Sequence, residues 1–215
     1  MTDLHCGKFI TFEGPEGAGK STQIQLLAQK LQLQGHCVTL TREPGGTQLT
    51  EKLRDLLKNH SAAESLCDRA ELLLFAGARA QHVAQLIKPA LQRGEIVICD
   101  RFSDSTKAYQ GFGRQLDMTI LNELNDFAVD GLKIDLTILI DLPPEIGLQR
   151  AKQRNAAASA ADRLELLPSE FHRQVREGFL KLAAAEPERI KCFDGTHNIN
   201  QLAMEIYSEV QHVIV

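Results

Sequence analysis

The sequence lacks several features that would place it in other classes of protein. No apolar run approaches the roughly 20 residues that a bilayer-spanning helix needs, and the N-terminus has no apolar signal region. The net charge of −4 offers no basic surface to nucleic acid. No linker rich in Pro, Gly or Ser divides the 215 residues. We therefore expect a single domain over residues 1–215, in the cytoplasm, with neither a membrane nor a nucleic acid as partner.

Cysteine is sparse and scattered. An odd number of widely spaced cysteines without a C-x-x-C pair indicates free thiols in a reducing compartment, and no metal site built from cysteine. Cys37, Cys99 and Cys192 lie among strand-like residues, so we predict that they are small core residues. The five cysteines are Cys6, Cys37, Cys67, Cys99 and Cys192.

A glycine-rich stretch near the N-terminus is the strongest signal in the chain. Residues 14–21 read Gly-Pro-Glu-Gly-Ala-Gly-Lys-Ser and fit the phosphate-binding loop G-x-x-x-x-G-K-[ST], between an apolar run and a helical pattern. In such a loop Lys20 reaches the β- and γ-phosphates, and the Ser21 hydroxyl ligates Mg²⁺. The alternative is a glycine-rich turn that Lys-Ser follows by chance. The predicted ATP-binding residues are Gly14, Pro15, Glu16, Gly17, Ala18, Gly19, Lys20, Ser21 and Thr22.

Short apolar runs alternate with longer helical patterns along the chain. Continuous apolar runs indicate strands buried on both faces, and their alternation with helices predicts an α/β fold with a five-stranded parallel sheet flanked by helices. Ligands of such sheets bind beyond the carboxyl ends of the strands. The predicted strands are 8–12, 37–41, 96–99, 137–140 and 190–193, and the predicted helices lie near 20–34, 48–58, 68–93, 117–130, 144–153, 168–184 and 199–212.

Charged residues follow two of these strands. Asp100 can hold Mg²⁺ directly or through water, and Arg101 beside it can grip a second phosphate bidentately. Arg42 and Glu43 precede a Pro-Gly-Gly turn at the same edge of the sheet. The alternatives are a structural ion pair at the sheet edge for the first pair and a simple turn for the second.

Two further segments carry groups that suit a nucleoside. Phe75 and Arg79 are four residues apart on a helix, so they share a face where a ring could stack on a base and an arginine bind its edge. The alternative is a core Phe with a surface Arg, and we expect His82 nearby to be packed or exposed. The second segment offers hydroxyl, phenol and amide groups on Ser105, Thr106, Tyr109 and Gln110.

Residues 150–163 have basic groups at both ends and small residues between them. Beside a phosphate-binding loop, this composition predicts a mobile lid that closes over phosphates. The alternative is a solvated helix end followed by a flexible connection. The basic residues of this segment are Arg150, Lys152, Arg154 and Arg163.

Taken together, these residues resemble the thymidylate kinase family of the bacterial type, from Lys8 to about Val210. The resemblance implies the fold of P-loop nucleoside monophosphate kinases and transfer of the ATP γ-phosphoryl group to dTMP, giving dTDP, with Mg²⁺ as cofactor. It also implies a homodimer. It rests on five motifs in order, Phe12-Glu13-Gly14-x-Glu16-Gly17-Ala18-Gly19-Lys20-Ser21, Arg42-Glu43-Pro44-Gly45-Gly46-Thr47, Phe75-x-x-x-Arg79, Asp100-Arg101-Phe102 with Ser105-Thr106 and Tyr109-Gln110-Gly111, and Asp162-Arg163-x-Glu165.

The resemblance implies roles for individual residues. The residues implied to bind dTMP are Glu16 at the 3′-hydroxyl, Arg42 and Arg101 at the phosphate, Glu43 near the magnesium, Phe75 stacked on thymine, Arg79 at its O4, Ser105, Thr106 and Gln110 near the base, and Tyr109 beneath the sugar. The phosphate loop has no arginine, so the chain resembles members whose catalytic arginine is in the lid. The predicted catalytic residues are Lys20, Arg101, Arg154 and Arg150, and the predicted magnesium residues are Ser21 and Asp100.

Two other functions fit parts of this pattern. One is a P-loop kinase for a deoxynucleoside or for another monophosphate, although Arg42 and Arg101 favour an acceptor that already carries phosphate. The other is an ATP-dependent switch protein, which would hydrolyse ATP without an acceptor and would need a partner surface. The acidic charge and the length of the chain give this second function little support.

Overall fold

A parallel sheet of five strands forms the centre of the fold, as the sequence predicts. The computed structural model describes residues 7–59, 65–155 and 163–214. The strand order is β2-β3-β1-β4-β5, with every neighbouring pair parallel. The strands are β1 (Lys8–Glu13), β2 (Val38–Arg42), β3 (Ile96–Asp100), β4 (Leu136–Asp141) and β5 (Ile190–Asp194), each within one residue of its predicted bounds.

Helices cover both faces of the sheet. The described α-helices are α1 (Lys20–Leu33), α2 (Gln48–Asn59), α3 (Asp68–His82), α4 (Lys88–Gln92), α5 (Ser103–Thr106), α6 (Met118–Val129), α7 (Pro144–Asn155), α8 (Ser169–Ala185) and α9 (Ile199–Ile214). Among the described residues, no helix is long and apolar enough to cross a membrane. Residues 156–162 of the predicted lid, and the side chain of Arg154, lie outside the described residues.

Alternation along β1 divides the core into two layers. Ile10 and Phe12 point to one face, where they join apolar residues of α1 and α9. Phe9 points to the other face and packs with α4 and the turn that precedes it. Leu139 of β4 lies on this second face too and contacts α8. The carboxyl ends of all five strands therefore share one edge, where a ligand can approach between the two helical layers.

The prediction of one uninterrupted helix over 68–93 is wrong in one respect. Helix α3 ends at His82, a π-helical turn follows over Val83–Ile87, and α4 then continues the path. The interruption comes directly after the His82 ring, which is buried and bonded to Thr41 and Glu43. Such π turns inside helices are frequent at functional sites.

A helix over 103–113 was not predicted. The structure has α5 followed by a π-helical segment, Lys107–Gly113. Ser, Thr and Gly are poor helix formers in a helix interior, which is why the sequence pattern does not reveal it. The Glu13 carboxylate stabilises its first turn by accepting hydrogen bonds from the backbone N–H groups of Phe102 and Ser105, at 2.8 and 3.2 Å.

The prediction that three cysteines are core residues holds for only one. Cys99 of the inner strand β3 is fully buried, whereas Cys37 and Cys192 are exposed. Cys37 directly precedes β2 and Cys192 lies within β5, and these are the two edge strands of the sheet. An edge strand is half-exposed, so a strand-like sequence context does not guarantee burial.

Candidate active site

A cavity of about 630 Å³ opens at the carboxyl edge of the sheet. It is bounded by the phosphate loop after β1, by the turns after β2 and β3, by α3 and by the helical segment 103–113. The predicted site residues that line it are Glu16, Gly17, Ala18, Gly19, Lys20, Ser21, Thr22, Arg42, Glu43, Phe75, Arg79, Asp100, Arg101, Ser105, Thr106, Tyr109, Gln110 and Arg150. Of the other predicted site residues, Gly14 and Pro15 do not line the cavity, and the side chain of Arg154 lies outside the described residues.

Lys20 is held inside the phosphate loop. Its Nζ donates to the carbonyl oxygens of Gly14 and Pro15, at 3.0 and 2.9 Å. Gly17 and Gly19 have φ values of 70° and 93°, which glycine adopts without strain and other residues do not. Burial first, and then Arg101, lower the pKa of Lys20 to about 8. Two of the three N–H groups of the ammonium are engaged with the carbonyl oxygens of Gly14 and Pro15, and a phosphate in the loop would supply an anionic partner for this buried charge.

Ser21 and Asp100, the two residues predicted to hold magnesium, contact each other. The Ser21 Oγ donates to Asp100 Oδ2 over 3.1 Å, linking the start of α1 to the end of β3. A hydroxyl and a carboxylate are the oxygen donors that Mg²⁺ prefers, and a site with few protein ligands leaves room for phosphate oxygens and water. The residues present thus fit the ion.

Glu16, Arg101 and Tyr109 form a tight cluster on the cavity wall. Arg101 Nη2 donates to Glu16 Oε1 over 3.0 Å, and the Tyr109 hydroxyl lies 2.7 and 2.6 Å from the two carboxylate oxygens. Burial raises the pKa of Glu16, but Arg101, Lys20 and Tyr109 outweigh it, so the net pKa is lowered. Glu16 is therefore an anion that connects the phosphate loop to the residues after β3.

Arg79 and Glu43 are buried partners at the inner end of the cavity. Arg79 is 2% exposed, and its Nε donates to Glu43 Oε2 over 2.9 Å. Its Nη1 donates to Asn125, and its Nη2 donates to the carbonyl oxygen of Phe102 and to Thr106 Oγ1. Four of the five N–H groups of this guanidinium are therefore engaged within the protein. A role for Arg79 at thymine O4 stays a prediction.

Arg42 lies at the outer rim of the cavity. Its Nη2 donates to Glu51 Oε2 over 2.9 Å, and both side chains are about half-exposed. Glu51 Oε1 also accepts from the backbone N–H of Gly46, which ties the Pro-Gly-Gly turn to α2. An exposed pair of this kind is weak, so Arg42 can exchange Glu51 for a phosphate at little cost.

Comparison with known proteins shows to which family this chain belongs. A family model described as thymidylate kinase matches residues 12–206. The chain belongs to the thymidylate kinase family. A thymidylate kinase of Geotalea uraniireducens is 50% identical over 206 residues, 95% of this chain and 96% of that protein. One from Trichlorobacter lovleyi is 50% identical over 204 residues, 94% and 96% of the two chains. The crystal structure of thymidylate kinase from Ehrlichia chaffeensis matches with a TM-score of 0.75 and 36% identity, covering 95% of this chain and 99% of that one.

Membership of the thymidylate kinase family makes this protein a kinase, a nucleotide-binding transferase. The resemblance and the P-loop kinase fold drawn from the sequence are both confirmed. Of the predicted lid arginines, Arg150 on α7 lines the cavity, and its Nη1 lies 3.4 Å from the carbonyl oxygen of Gly17. Arg154 also belongs to α7, but its side chain lies outside the described residues.

Two buried carboxylates behind the thymidylate kinase site were missed. Glu13 is fully buried and also accepts from the Ser105 hydroxyl. Burial, with the nearby charge of Asp104, raises the pKa of Glu13 to about 7. Glu71 of α3 is fully buried beneath Gln110. The position of Glu13 at the end of β1 was a usable signal, whereas Glu71 looks in the sequence like an ordinary acidic residue in the first turn of a helix.

Proposed function

We propose that this protein transfers the γ-phosphoryl group of Mg·ATP to dTMP, giving dTDP. The observation that carries the proposal is one continuous cavity, in a chain of the thymidylate kinase family, that runs from the phosphate loop to Phe75, Tyr109 and Gln110. Such a cavity can hold a phosphate donor and a nucleotide acceptor end to end, which is what direct phosphoryl transfer requires.

The chain's charges are arranged to stabilise the transferred group. Lys20 would bind the donor phosphates, and Arg101, next to the loop, would bind the acceptor phosphate bidentately. Ser21 and Asp100 would hold Mg²⁺, which supplies positive charge to the phosphate oxygens. Because Lys20 and Arg101 are held by contacts within the protein before the substrates arrive, little reorganisation is needed when charge shifts during the reaction.

The acceptor side would recognise the deoxynucleotide through Glu16 and Tyr109. The Glu16 carboxylate accepts hydrogen bonds only, which suits the sugar 3′-hydroxyl. Tyr109 is packed against Phe171 and Phe179, with ring centroids 6.1 Å apart in each pair, so its ring cannot easily move aside. A fixed ring beneath the sugar would crowd a 2′-hydroxyl and disfavour ribonucleotides.

We assign the catalytic arginine to α7, with Arg154 ahead of Arg150. The phosphate loop has no arginine, and Arg150 already donates to the carbonyl oxygens of Gly17 and Gly195. We expect Arg154→Ala to lower kcat about a hundredfold or more, with a smaller change in dTMP affinity. Arg150→Ala is the matched variant on the same helix. A larger loss of kcat in Arg150→Ala would move the catalytic role to that residue.

We further propose a homodimer that works in the cytoplasm. Helices α3 and α6 pack together through the bond between Arg79 and Asn125, and they carry the exposed apolar side chains Leu73, Ile120 and Phe127. Exposed apolar groups on two adjacent helices are typical of a surface that a second subunit covers.

The test is ADP release from Mg·ATP by the purified protein, with dTMP, dUMP, dCMP, dGMP, AMP or no acceptor in parallel. We expect strong turnover with dTMP, weaker turnover with dUMP, because only a methyl group distinguishes them, and very little with the others. Equal ADP release without acceptor would instead indicate an ATPase or a switch protein. Preference for another monophosphate would replace dTMP as the substrate.

A further inference from the structure

Glu71 forms a buried ionic cluster immediately behind the cavity. It is fully buried and does not line the cavity itself. Its Oε1 accepts from the side-chain amide of Gln110, with Nε2 at 2.8 Å. Its Oε2 accepts from Arg114 Nη2 at 3.3 Å and from Arg163 Nη2. Gln110 is the member of this cluster that does reach the cavity wall.

The chemistry of Glu71 fixes the orientation of the Gln110 amide. A carboxylate between two guanidinium groups only accepts hydrogen bonds, so it must face the NH₂ end of the amide. The carbonyl oxygen Oε1 is then left for the cavity, and among the described residues no group donates to it. The reversed amide would place two acceptors against each other and lose a charge-assisted hydrogen bond.

We propose that Glu71 is a positioning residue that sets base selectivity, by holding Gln110 so that Oε1 faces the base as an acceptor. The proposal rests on the proposed function, in which Gln110 lies at the edge of the base. Thymine presents its N3–H as a donor, which the fixed Oε1 would accept. Cytosine has an unprotonated N3, so two acceptors would meet there in a buried site, and neither would have a donor.

The neighbouring groups explain why this acceptor matters. Arg79 is an arginine and cannot accept a hydrogen bond, so it cannot recognise N3–H. Its own N–H groups are mostly engaged with Glu43, Asn125 and Thr106. Selection for a base that donates at N3 therefore needs an oriented acceptor, and Glu71 supplies the orientation for Gln110 from outside the cavity.

The test is kcat/KM of Glu71→Gln for dTMP, dUMP and dCMP. A glutamine can donate as well as accept, so the Gln110 amide becomes free to reverse. We expect the dTMP-to-dCMP ratio to fall at least about tenfold. The dTMP-to-dUMP ratio should stay within about twofold, because both of these bases carry N3–H. An unchanged dTMP-to-dCMP ratio, or an equal loss in both ratios, would overturn the proposal.

Two controls separate orientation from general damage to the cluster. Arg114→Gln removes another partner of the same carboxylate and leaves the bond to Gln110, so it should not change the dTMP-to-dCMP ratio. In a Gln110→Met background there is no amide to orient, so Glu71→Gln should cause no further change in that ratio. A further change in this background, or an equal change in Arg114→Gln, would contradict the proposed role.

A second variant and a binding measurement keep the proposal testable if Glu71→Gln does not fold or does not turn over. If Glu71→Gln does not fold, Glu71→Asp withdraws the carboxylate by one methylene, and calorimetric affinities for dTMP, dUMP and dCMP without ATP replace the rates. The same pattern of ratios is expected, and unchanged affinity ratios would overturn the proposal. Failure of the proposed function is a separate outcome, since the wild-type protein would then fail to phosphorylate dTMP.

Discussion

At the scale of single residues, the site depends on buried charges that have several partners each. Glu16 contacts Arg101 and Tyr109, while Lys20 caps two carbonyl oxygens of the loop. Groups held in this way lose little conformational entropy when a substrate binds, because they are ordered beforehand. Removing one of them should therefore affect the rate of phosphoryl transfer more than the stability of the fold.

Lys20→Ala is expected to leave the protein folded and to lower kcat by at least about a hundredfold, since a charge that binds the transferred phosphate stabilises the transition state strongly. The measurement is steady-state ADP release with dTMP, accompanied by circular dichroism. Lys52→Ala, at an exposed lysine of α2, is the control and should turn over normally. Near-normal turnover in folded Lys20→Ala would refute the role of this lysine.

Glu13 should make stability depend on pH. Its pKa is about 7 in the folded protein, against an ordinary value of 4.5, so the folded state binds the extra proton between these values. The free energy of unfolding should therefore fall as pH rises through this window, by on the order of 3 kcal/mol, and then level off. Glu13→Gln should remove this dependence in urea unfolding at several pH values between about 5 and 8.

Glu51→Gln is the matched control for Glu13. Burial raises the pKa of Glu51, but hydrogen bonds from Gly46 and Arg42 outweigh it and lower the net value. The stability that Glu51 contributes is thus present above its unfolded pKa and is lost as pH falls through its lower folded pKa. Its substitution should leave the slope between about pH 5 and 8 unchanged. If Glu13→Gln and the wild-type protein gave parallel curves there, the assignment to Glu13 would be wrong.

At the scale of elements, the phosphate loop and α7 meet backbone to backbone. A Cβ on Gly147 would lie 2.2 Å from the carbonyl oxygen of Glu16, and one on Gly17 would lie 2.1 Å from that of Gly147. Neither carbonyl can move without moving its whole element. The contact therefore fixes the start of α7, the helix that carries Arg150, against the phosphate loop.

Gly147→Ala should push α7 away from the loop. We expect it to lower stability by about 1–3 kcal/mol and to raise KM for ATP several-fold. Gly77→Ala is the matched control, because it is also a helical glycine but a Cβ there meets no atom within 4 Å. It should raise stability by about 0.5–1 kcal/mol. Thermal unfolding and ATP titration check both, and equal effects of the two substitutions would contradict the contact.

The elements differ in how far the sequence predicted them. The strands were predicted well because short continuous apolar runs such as Ile96–Ile98 are typical of strands that are buried on both faces of a parallel sheet. The helix over 103–113 was missed because its stability comes from Glu13 and from burial of Tyr109, two features that depend on distant parts of the chain. Local propensity carries no information about such contacts.

The residues of the candidate site also differ in how far the sequence predicts them. Residues with a motif, such as Lys20 and Arg101, could be predicted from the sequence, because phosphate chemistry requires those residue types at fixed spacings, and both line the cavity. Glu71 was not found, because its partners Gln110 and Arg163 are 39 and 92 residues away in sequence. Groups predicted to touch a ligand follow a motif, whereas the contacts of Glu71, the group proposed to orient one of them, depend on the completed fold.

At the scale of the whole molecule, the proposed homodimer predicts a mass in sedimentation equilibrium of twice the 23.8 kDa of one chain. Phe127 of α6 is 83% exposed, and Phe127→Glu should shift the protein to monomers, because a charge at an apolar interface is left without solvent or partner. Leu33→Glu, at an 89% exposed leucine of α1, should leave the mass unchanged. A monomeric wild-type protein, or a dimeric Phe127→Glu, would contradict this surface.

Because Cys37 and Cys192 are exposed, labels attached to their thiols can be used to measure a distance across the sheet. The two residues belong to opposite edges of the sheet, four strand spacings or about 19 Å apart across it, and the strand register offsets them by about six residues or about 20 Å along it, which gives a diagonal of about 28 Å. With Cys6 and Cys67 changed to serine, nitroxide spin labels would attach to these two thiols, while Cys99 is shielded by the core. Pulsed electron resonance would then measure this diagonal and show whether nucleotides close the molecule by moving peripheral helices, which leaves the distance unchanged, or by bending the sheet, which changes it.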